Sequence, residues 1–308
     1  MEIHHVPVML MESVESLDVK PNGSYIDCTV GEGGHAAAIL AAAKPSPRLL
    51  GIDLDQDALA AAMIRLKSHV SELSLVRGNF ANLKQIAEAN SFLPTDGILF
   101  DLGISSLQIE NTKKGFGFSK QGRLDMRFDT KQELSAYELV NEQTEEDLAN
   151  ILFQFGEEPR SRRLAKAMVK SRPIETTTDL AKIVARASGK SKYKSRTHPA
   201  TQTFQALRIA VNNELSNINA ALKQTISTLV SGGRLVTISY HSLEDRLVKK
   251  FIQRESRDCI CPPLNYTCEC EHQATMKIIT KKVVKPSPEE VYTNRRSRSA
   301  HMRVAERL

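Results

Sequence analysis

In the first third of the chain, short apolar runs alternate with stretches whose apolar residues recur at helical spacing. The runs fall near 24–30, 48–53, 73–77 and 97–101, and the helical stretches at 35–43, 56–69 and 82–89. Strands that read as continuous apolar runs, interleaved with helices, predict a parallel sheet covered on both faces. From about 108 to 212 the alternation stops and the pattern is helical. Thr144 followed by Glu145, Glu146 and Asp147 reads as an N-cap with acids in the first helical turn. Thr178-Asp179 marks another helix start, and Pro199 suits a first turn after a Ser/Lys/Gly-rich loop at 188–198. The strand pattern returns at 231–240, a helix follows over 243–254, and two β-like runs occupy 276–280 and 301–305. The expectation is a doubly wound α/β domain, formed by 1–107 and 213–308, interrupted by an all-helical insertion over 108–212.

The first strand runs directly into Gly31-Glu32-Gly33-Gly34-His35 and then into a helix. Glycines suit a turn that needs positive φ and a backbone that a ligand approaches closely. Asp53 closes the second strand, twenty-two residues after Gly31, where a carboxylate can accept both hydroxyls of a ribose. A nucleoside-binding βαβ unit is therefore expected. Gly31-x-Gly33-x-x-Ala36 also fits the dinucleotide fingerprint, so NAD and S-adenosylmethionine both remain open at this point.

Composition adds little, because 41% hydrophobic and 25% charged residues are ordinary for a globular protein of 308 residues. No apolar run reaches the length of a membrane span, and the first residues lack a signal-peptide pattern, so a cytoplasmic protein without membrane association is expected. The charge distribution is more telling than the net charge of +6. Residues 159–210 carry thirteen lysines and arginines against Glu175 and Asp179, and residues 281–308 carry eight against three acids. Two basic blocks on an otherwise acidic chain point to a polyanionic partner, with the insertion as its clamp.

The remaining strand ends bear on the cofactor. The third runs into Asn79-Phe80, which could lie against an adenine, and the fourth ends in Asp101, followed by Leu102-Gly103-Ile104-Ser105-Ser106. Ligands of open α/β sheets sit beyond the carboxyl ends of the strands, so Asp101 is expected to face the methyl-donor end of S-adenosylmethionine. A second dinucleotide-binding half, which a hydride-transfer enzyme would often add, is not evident.

Taken together, His4-His5-Val6-Pro7-Val8-Met9-Leu10, Gly31-Glu32-Gly33-Gly34-His35, Gly51-Ile52-Asp53, Asp101-Leu102-Gly103-Ile104-Ser105-Ser106, Leu124-Asp125-Met126-Arg127, the run 204–212 and His241-Ser242-Leu243-Glu244-Asp245-Arg246 resemble the bacterial 16S rRNA cytosine-N4 methyltransferases of the RsmH/MraW family. The resemblance implies a Rossmann-like, S-adenosylmethionine-dependent domain with a mostly parallel seven-stranded sheet and a helical recognition insertion. It also implies 16S rRNA in the small ribosomal subunit as partner and a decoding-region cytidine as target. Carried over by position, Gly33, Gly34 and His35 would line the cofactor loop, Asp53 the ribose and Phe80 the adenine, with Asp101 and Gln108 near the methionine end. Gln202 and Arg295 stand where that family usually has arginine and proline.

Cytosine N4 is a weak nucleophile, so a hydrogen-bond acceptor and accurate aim toward the methyl group are required. Asp101 is expected to orient N4, with Tyr240 or His241 completing the pocket, and Tyr240, Phe116 or Phe118 as the stacking aromatic. Asp125 and Arg127 read as a supporting ion pair, and Phe204 and Leu207 as core. Methyl transfer needs no metal and none is expected at the site, although Cys259-x-Cys261 and Cys268-x-Cys270 could hold a zinc ion. Competing readings are a small-molecule or protein methyltransferase, which would not need the basic insertion, and a non-catalytic RNA-binding assembly factor. The oligomeric state is open, a homodimer included.

Overall fold

The structure, a computed structural model, describes residues 6–189, 198–262 and 268–308. His4, His5, Lys190, Lys192, Lys194 and Arg196, which figured in the sequence reading, lie outside the described residues. The chain forms two compact units, residues 1–103 with 215–308, and residues 104–214. Their boundaries stand at 103 and 215, where the sequence pattern suggested 107 and 213.

The first unit is built on a seven-stranded sheet of β1 (Ser24–Asp27), β2 (Arg48–Asp53), β3 (Leu73–Arg77), β4 (Thr95–Asp101), β5 (Leu229–Ser239), β6 (Met276–Ile278) and β7 (His301–Arg307). The order is β3-β2-β1-β4-β5-β7-β6. β1 to β5 run parallel, and β7 is antiparallel to both β5 and β6. The direction of winding reverses between β1 and β4, and that reversal opens a crevice beyond their carboxyl ends.

Side chains alternate across the sheet. Ile26, Leu50, Ile52, Ile98 and Phe100 pack on one face with Leu83, Leu222, Val248 and Ile252 of the covering helices. Tyr25, Leu49, Leu99 and Val236 pack on the other with Ile39, Leu40, Leu59 and Ala62. Continuous burial along β1, β2 and β4 explains why these strands read as unbroken apolar runs. Two elements are shorter than the pattern predicted. β1 stops at Asp27, because the chain turns into the glycine loop, although the Cys28 amide still donates to the Leu99 carbonyl at 2.9 Å. The helix Gln56–Arg65 gives way to a tighter 3₁₀ segment, Lys67–Glu72, broken by non-helical His69.

The insertion has its own core. Leu139, Leu148, Leu152, Leu164, Met168, Leu180 and Leu207, from five helices, are fully or almost fully buried there. Thr144 caps its helix as expected, accepting from the Asp147 amide. The next start lies two residues earlier than predicted, since Thr176 is the residue that accepts from the Asp179 amide. Asp125 and Arg127 form the expected pair, bidentate at 2.8 Å on each arm. Between them Met126 adopts φ 62°, and Asn212 holds that bend: its amide donates to the Met126 carbonyl at 2.7 Å while its Oδ1 accepts from the Phe128 amide at 2.8 Å.

Replacing Asn212 by alanine strands two backbone groups, one of them fully buried. The expected loss is about 1–3 kcal/mol of insertion stability, read as a lower urea midpoint. A midpoint equal to wild type would show that Asn212 does not carry the bend.

Candidate active site at the strand tips

Three acids end three adjacent strands: Asp27 on β1, Asp53 on β2 and Asp101 on β4. The glycine loop lies beside them. Gly31 has φ 49°, and its amide donates to Asp53 Oδ2 at 3.0 Å. The Asp55 amide donates to Asp53 Oδ1 at 2.9 Å, so a backbone donor on each oxygen fixes the carboxylate in orientation. Gly33 is left-handed (φ 77°) at the N-cap of the helix Gly34–Ala42, and its amide donates to Val30 O at 2.7 Å. A side chain there would be strained and would also meet Leu66 at 3.0 Å.

These hydrogen bonds bear on the choice of cofactor. A dinucleotide places its pyrophosphate on free amides of such a loop. Here the Gly31 and Gly33 amides are spent on Asp53 and Val30, and carboxyl groups end β1, β2 and β4 beside the loop. The donor set suits a ligand bearing positive charge.

His35, the second residue of that helix, is buried, with Nε2 3.0 Å from the Val8 carbonyl. An acceptor there fixes Nε2–H, which leaves Nδ1 as an acceptor 3.8 Å from Asp101 Oδ2. Burial lowers the pKa of the imidazole, so it stays neutral at pH 7. Asp101 keeps 20% of its side chain exposed. Its backbone amide donates to Thr29 Oγ1 at 2.7 Å, and its Oδ1 accepts the Tyr240 hydroxyl at 2.7 Å. Desolvation pushes this carboxyl up to about 7, against the lowering effect of the Tyr240 bond, and nearby Glu244 adds to the rise. Burial likewise pushes Asp27 up to about 6, although His35 and the Thr29 amide oppose it.

The tyrosine is positioned with equal care. Its amide donates to Glu244 Oε2 at 2.8 Å, and its ring lies against Gly103 (φ +111°), where a Cβ would stand 3.1 Å from the ring. His241 caps the helix Ser242–Glu255: its Nδ1 accepts from the Glu244 amide at 3.4 Å, and its Nε2 lies 3.2 Å from Glu244 Oε1. His241 thus supports the loop after β5 through its Nδ1, which is occupied by the cap. Phe80 follows β3 and packs edge-on against Phe100, with centroids 5.7 Å apart. Gln108 belongs to the insertion, where its side chain accepts from the Ser105 amide in a capping box. Phe116 is stacked on Phe128 and buried in the insertion core, and Phe118 packs against Phe204 and His198.

Asp27, Thr29 and Glu244 were missed in sequence. An acid at the end of β1, matching those of β2 and β4, was a readable signal for Asp27. Glu244 stands three residues after a cap, the usual capping-box position.

This strand order, with a reversed β7 between β5 and β6, a glycine turn after β1 and acids at the tips of β2 and β4, defines a methyltransferase of the S-adenosylmethionine-dependent class. Residues 2–308 match the MraW methylase family, and the chain belongs to that family. Its methyl donor is accordingly S-adenosyl-L-methionine. The chain is 51% identical over 307 residues to ribosomal RNA small subunit methyltransferase H of Dehalococcoides mccartyi, covering 100% of this chain and 87% of that protein. The corresponding protein of Thermomicrobium roseum is 47% identical, with 99% and 94% covered. That of Clostridioides difficile is 42% identical over 311 residues, with both chains covered completely.

Because Asp101 and Asp27 bind protons more tightly folded than unfolded, they contribute stability to the unliganded protein that is lost as pH rises from about 4 to about 7. Asp101→Asn removes one of these groups. The melting temperature of the variant should therefore rise relative to wild type as pH is raised from 4 to 8. A constant offset would show that Asp101 titrates normally.

Proposed function

We propose that this protein transfers the methyl group of S-adenosyl-L-methionine to the exocyclic N4 of a cytidine in the decoding region of 16S rRNA. The observation that carries the reading is the partly exposed Asp101 carboxyl at the tip of β4, oriented by the Tyr240 hydroxyl beside His35 of the glycine-loop helix. S-adenosylmethionine supplies an electrophilic methyl on a sulfonium. In this reading Gly31, Gly33 and Gly34 form the backbone wall for it, Asp53 receives its ribose, Phe80 borders its adenine, and Asp101 serves its methionine end.

Asp101 then does two things. Its negative charge complements a cationic ligand, which favours the ionised carboxylate. Its outward lone pairs accept a hydrogen bond from an amino group, which turns the nitrogen and makes its lone pair more available. Tyr240 acts as a positioning residue, since its hydroxyl is committed to Asp101. A ring-carbon methylation of cytosine would instead call for a thiolate nucleophile. Cys28, next to Asp27, is 1% exposed and burial pushes its thiol well up, so it does not supply one.

The RNA clamp rests on the insertion. Arg162, Arg163, Lys166, Lys170, Lys182 and Arg186 are exposed on the helices Ser161–Lys170 and Thr177–Ser188. Three other basic residues of this block are used internally: Arg160 on Glu158 and the Ser188 carbonyl, Arg172 on the carbonyls of Val140 and Gln143, and Arg208 on Glu214. Among the described residues no helix is long and apolar enough to cross a membrane.

Tritiated methyl transfer to small subunits from a methylation-deficient strain, followed by nucleoside analysis, should yield N4-methylcytidine. Label in another nucleoside would refute the assigned chemistry. Under single turnover with cofactor bound, Asp101→Asn should slow transfer by about 10²–10³-fold, and a near-normal rate would remove Asp101 from the reaction. RNA affinity should fall steeply between low and physiological salt, less so after charge removal at Arg162, Arg163 and Lys166. An unchanged salt slope in that variant would displace the clamp from this helix.

A further inference from the structure

The chain between the helix Ser242–Glu255 and β6 contains no regular element in its described residues, and none of them is buried. A connection of this length whose described residues form no core of their own carries a large ordering cost and needs another means of stabilisation. Its base is closed by the Thr275 hydroxyl on Glu255 at 2.9 Å and the Ala274 amide on Asp258 at 3.2 Å. Beyond that base stand Cys259, Cys261, Cys268 and Cys270.

Their four sulfurs all lie within 4.8 Å of one another. Cys268 Sγ is 3.6 Å from Cys270 Sγ, which is 3.9 Å from Cys259 Sγ. A disulfide would need about 2.05 Å. A tetrahedron of sulfurs around zinc, each about 2.3 Å from the metal, has edges of about 3.8 Å. We propose that Cys259, Cys261, Cys268 and Cys270 form a structural zinc site that ties the two arms of this loop together.

The backbone supports the same arrangement independently. The Ile260 amide, in the first arm, donates to Cys270 Sγ at 3.3 Å, and the Glu269 amide, in the second, donates to Cys261 Sγ at 3.4 Å. Each arm thus offers an N–H to a sulfur of the other, and amides aimed at sulfur stabilise thiolates, the form that binds metal. The chemistry of the donors selects the ion. Four thiolates at tetrahedral spacing suit zinc, while calcium and magnesium require oxygen ligands. With all four positions filled by protein, no coordination site is left for substrate or water, so the site is structural. The C-x-C arms differ from the more frequent C-x2-C spacing, and the cross-arm amide bonds show how one intervening residue suffices: it is Ile260 and Glu269, the residues between the cysteines, that donate.

The test uses the full-length chain, purified without an affinity tag or chelator under reducing conditions. Elemental analysis should find one zinc per chain, and an organomercurial that blocks thiols should release it to a metal-binding dye. Cobalt exchanged into the wild-type protein should show the visible d–d bands and near-ultraviolet charge transfer of a tetrahedral tetrathiolate. Cys268→Ser and Cys259→Ser should each lose most of the zinc while S-adenosylmethionine binding is retained. Protein with substoichiometric zinc and four freely titrating thiols would overturn the proposal. So would iron in place of zinc, a mass showing two disulfides, or a cobalt spectrum without thiolate charge transfer. The cobalt spectrum of wild type decides the question even if the serine variants fail to fold.

Discussion

A carboxyl group held in a poorly solvated position at the tip of β4 sets the requirements for everything around it. Left alone, Asp101 is only partly ionised near neutrality, because burial raises its carboxyl to about 7. Three contacts nevertheless keep it aimed at the crevice: Thr29 receives its backbone amide, Tyr240 donates to one oxygen, and the neutral face of His35 borders the other. Each of these residues needs its own support. His35 is anchored on Val8, and the next amide along, that of Met9, donates to Glu290 at 2.8 Å. Tyr240 rests on Gly103 and on Glu244, which the cap at His241 holds in place. Segments from both ends of the chain therefore converge on one acidic tip.

The same constraint explains the cofactor. Acids closing β1, β2 and β4, with the Gly31 and Gly33 amides already satisfied inside the protein, make a crevice less suited to a pyrophosphate than to a cation. A glycine fingerprint that formally fits either ligand class is thus decided by where its hydrogen bonds go. Two raised carboxyl groups represent electrostatic energy that a positively charged ligand recovers on binding, since an opposite charge nearby favours the ionised form.

Much of this was readable from the residues, and for physical reasons. Strands buried on both faces must be apolar along their whole length, so β1, β2 and β4 stood out. Strand ends over a crevice must carry the chemistry, so Asp53 and Asp101 stood out as well. The paired Asp125 and Arg127 follow from charge spacing alone. What stayed hidden depends on side-chain partners far apart in sequence. Tyr240 is separated from Asp101 by 139 positions, so the hydrogen bond that joins them has no local signal in the sequence. His241 looked chemical because it follows a strand end, but its Nδ1 accepts from the Glu244 amide in the first turn of the next helix. Arg160, Arg172 and Arg208 looked like part of the polyanion surface, but their guanidinium groups satisfy carbonyls and carboxylates within the insertion. Phe116 is indistinguishable in sequence from an exposed stacking aromatic until Phe128 is found lying on its face.

The central claim, that Asp101 sits near neutral pKa and ionises to meet a cationic cofactor, is tested most directly by proton linkage. Calorimetric titration with S-adenosylmethionine at pH 7, repeated in buffers of different ionisation enthalpy, counts the protons exchanged on binding. The account predicts release of a substantial fraction of one proton from wild type and the loss of most of that release in Asp101→Asn. Binding without proton release, or equal release from the variant, would contradict it.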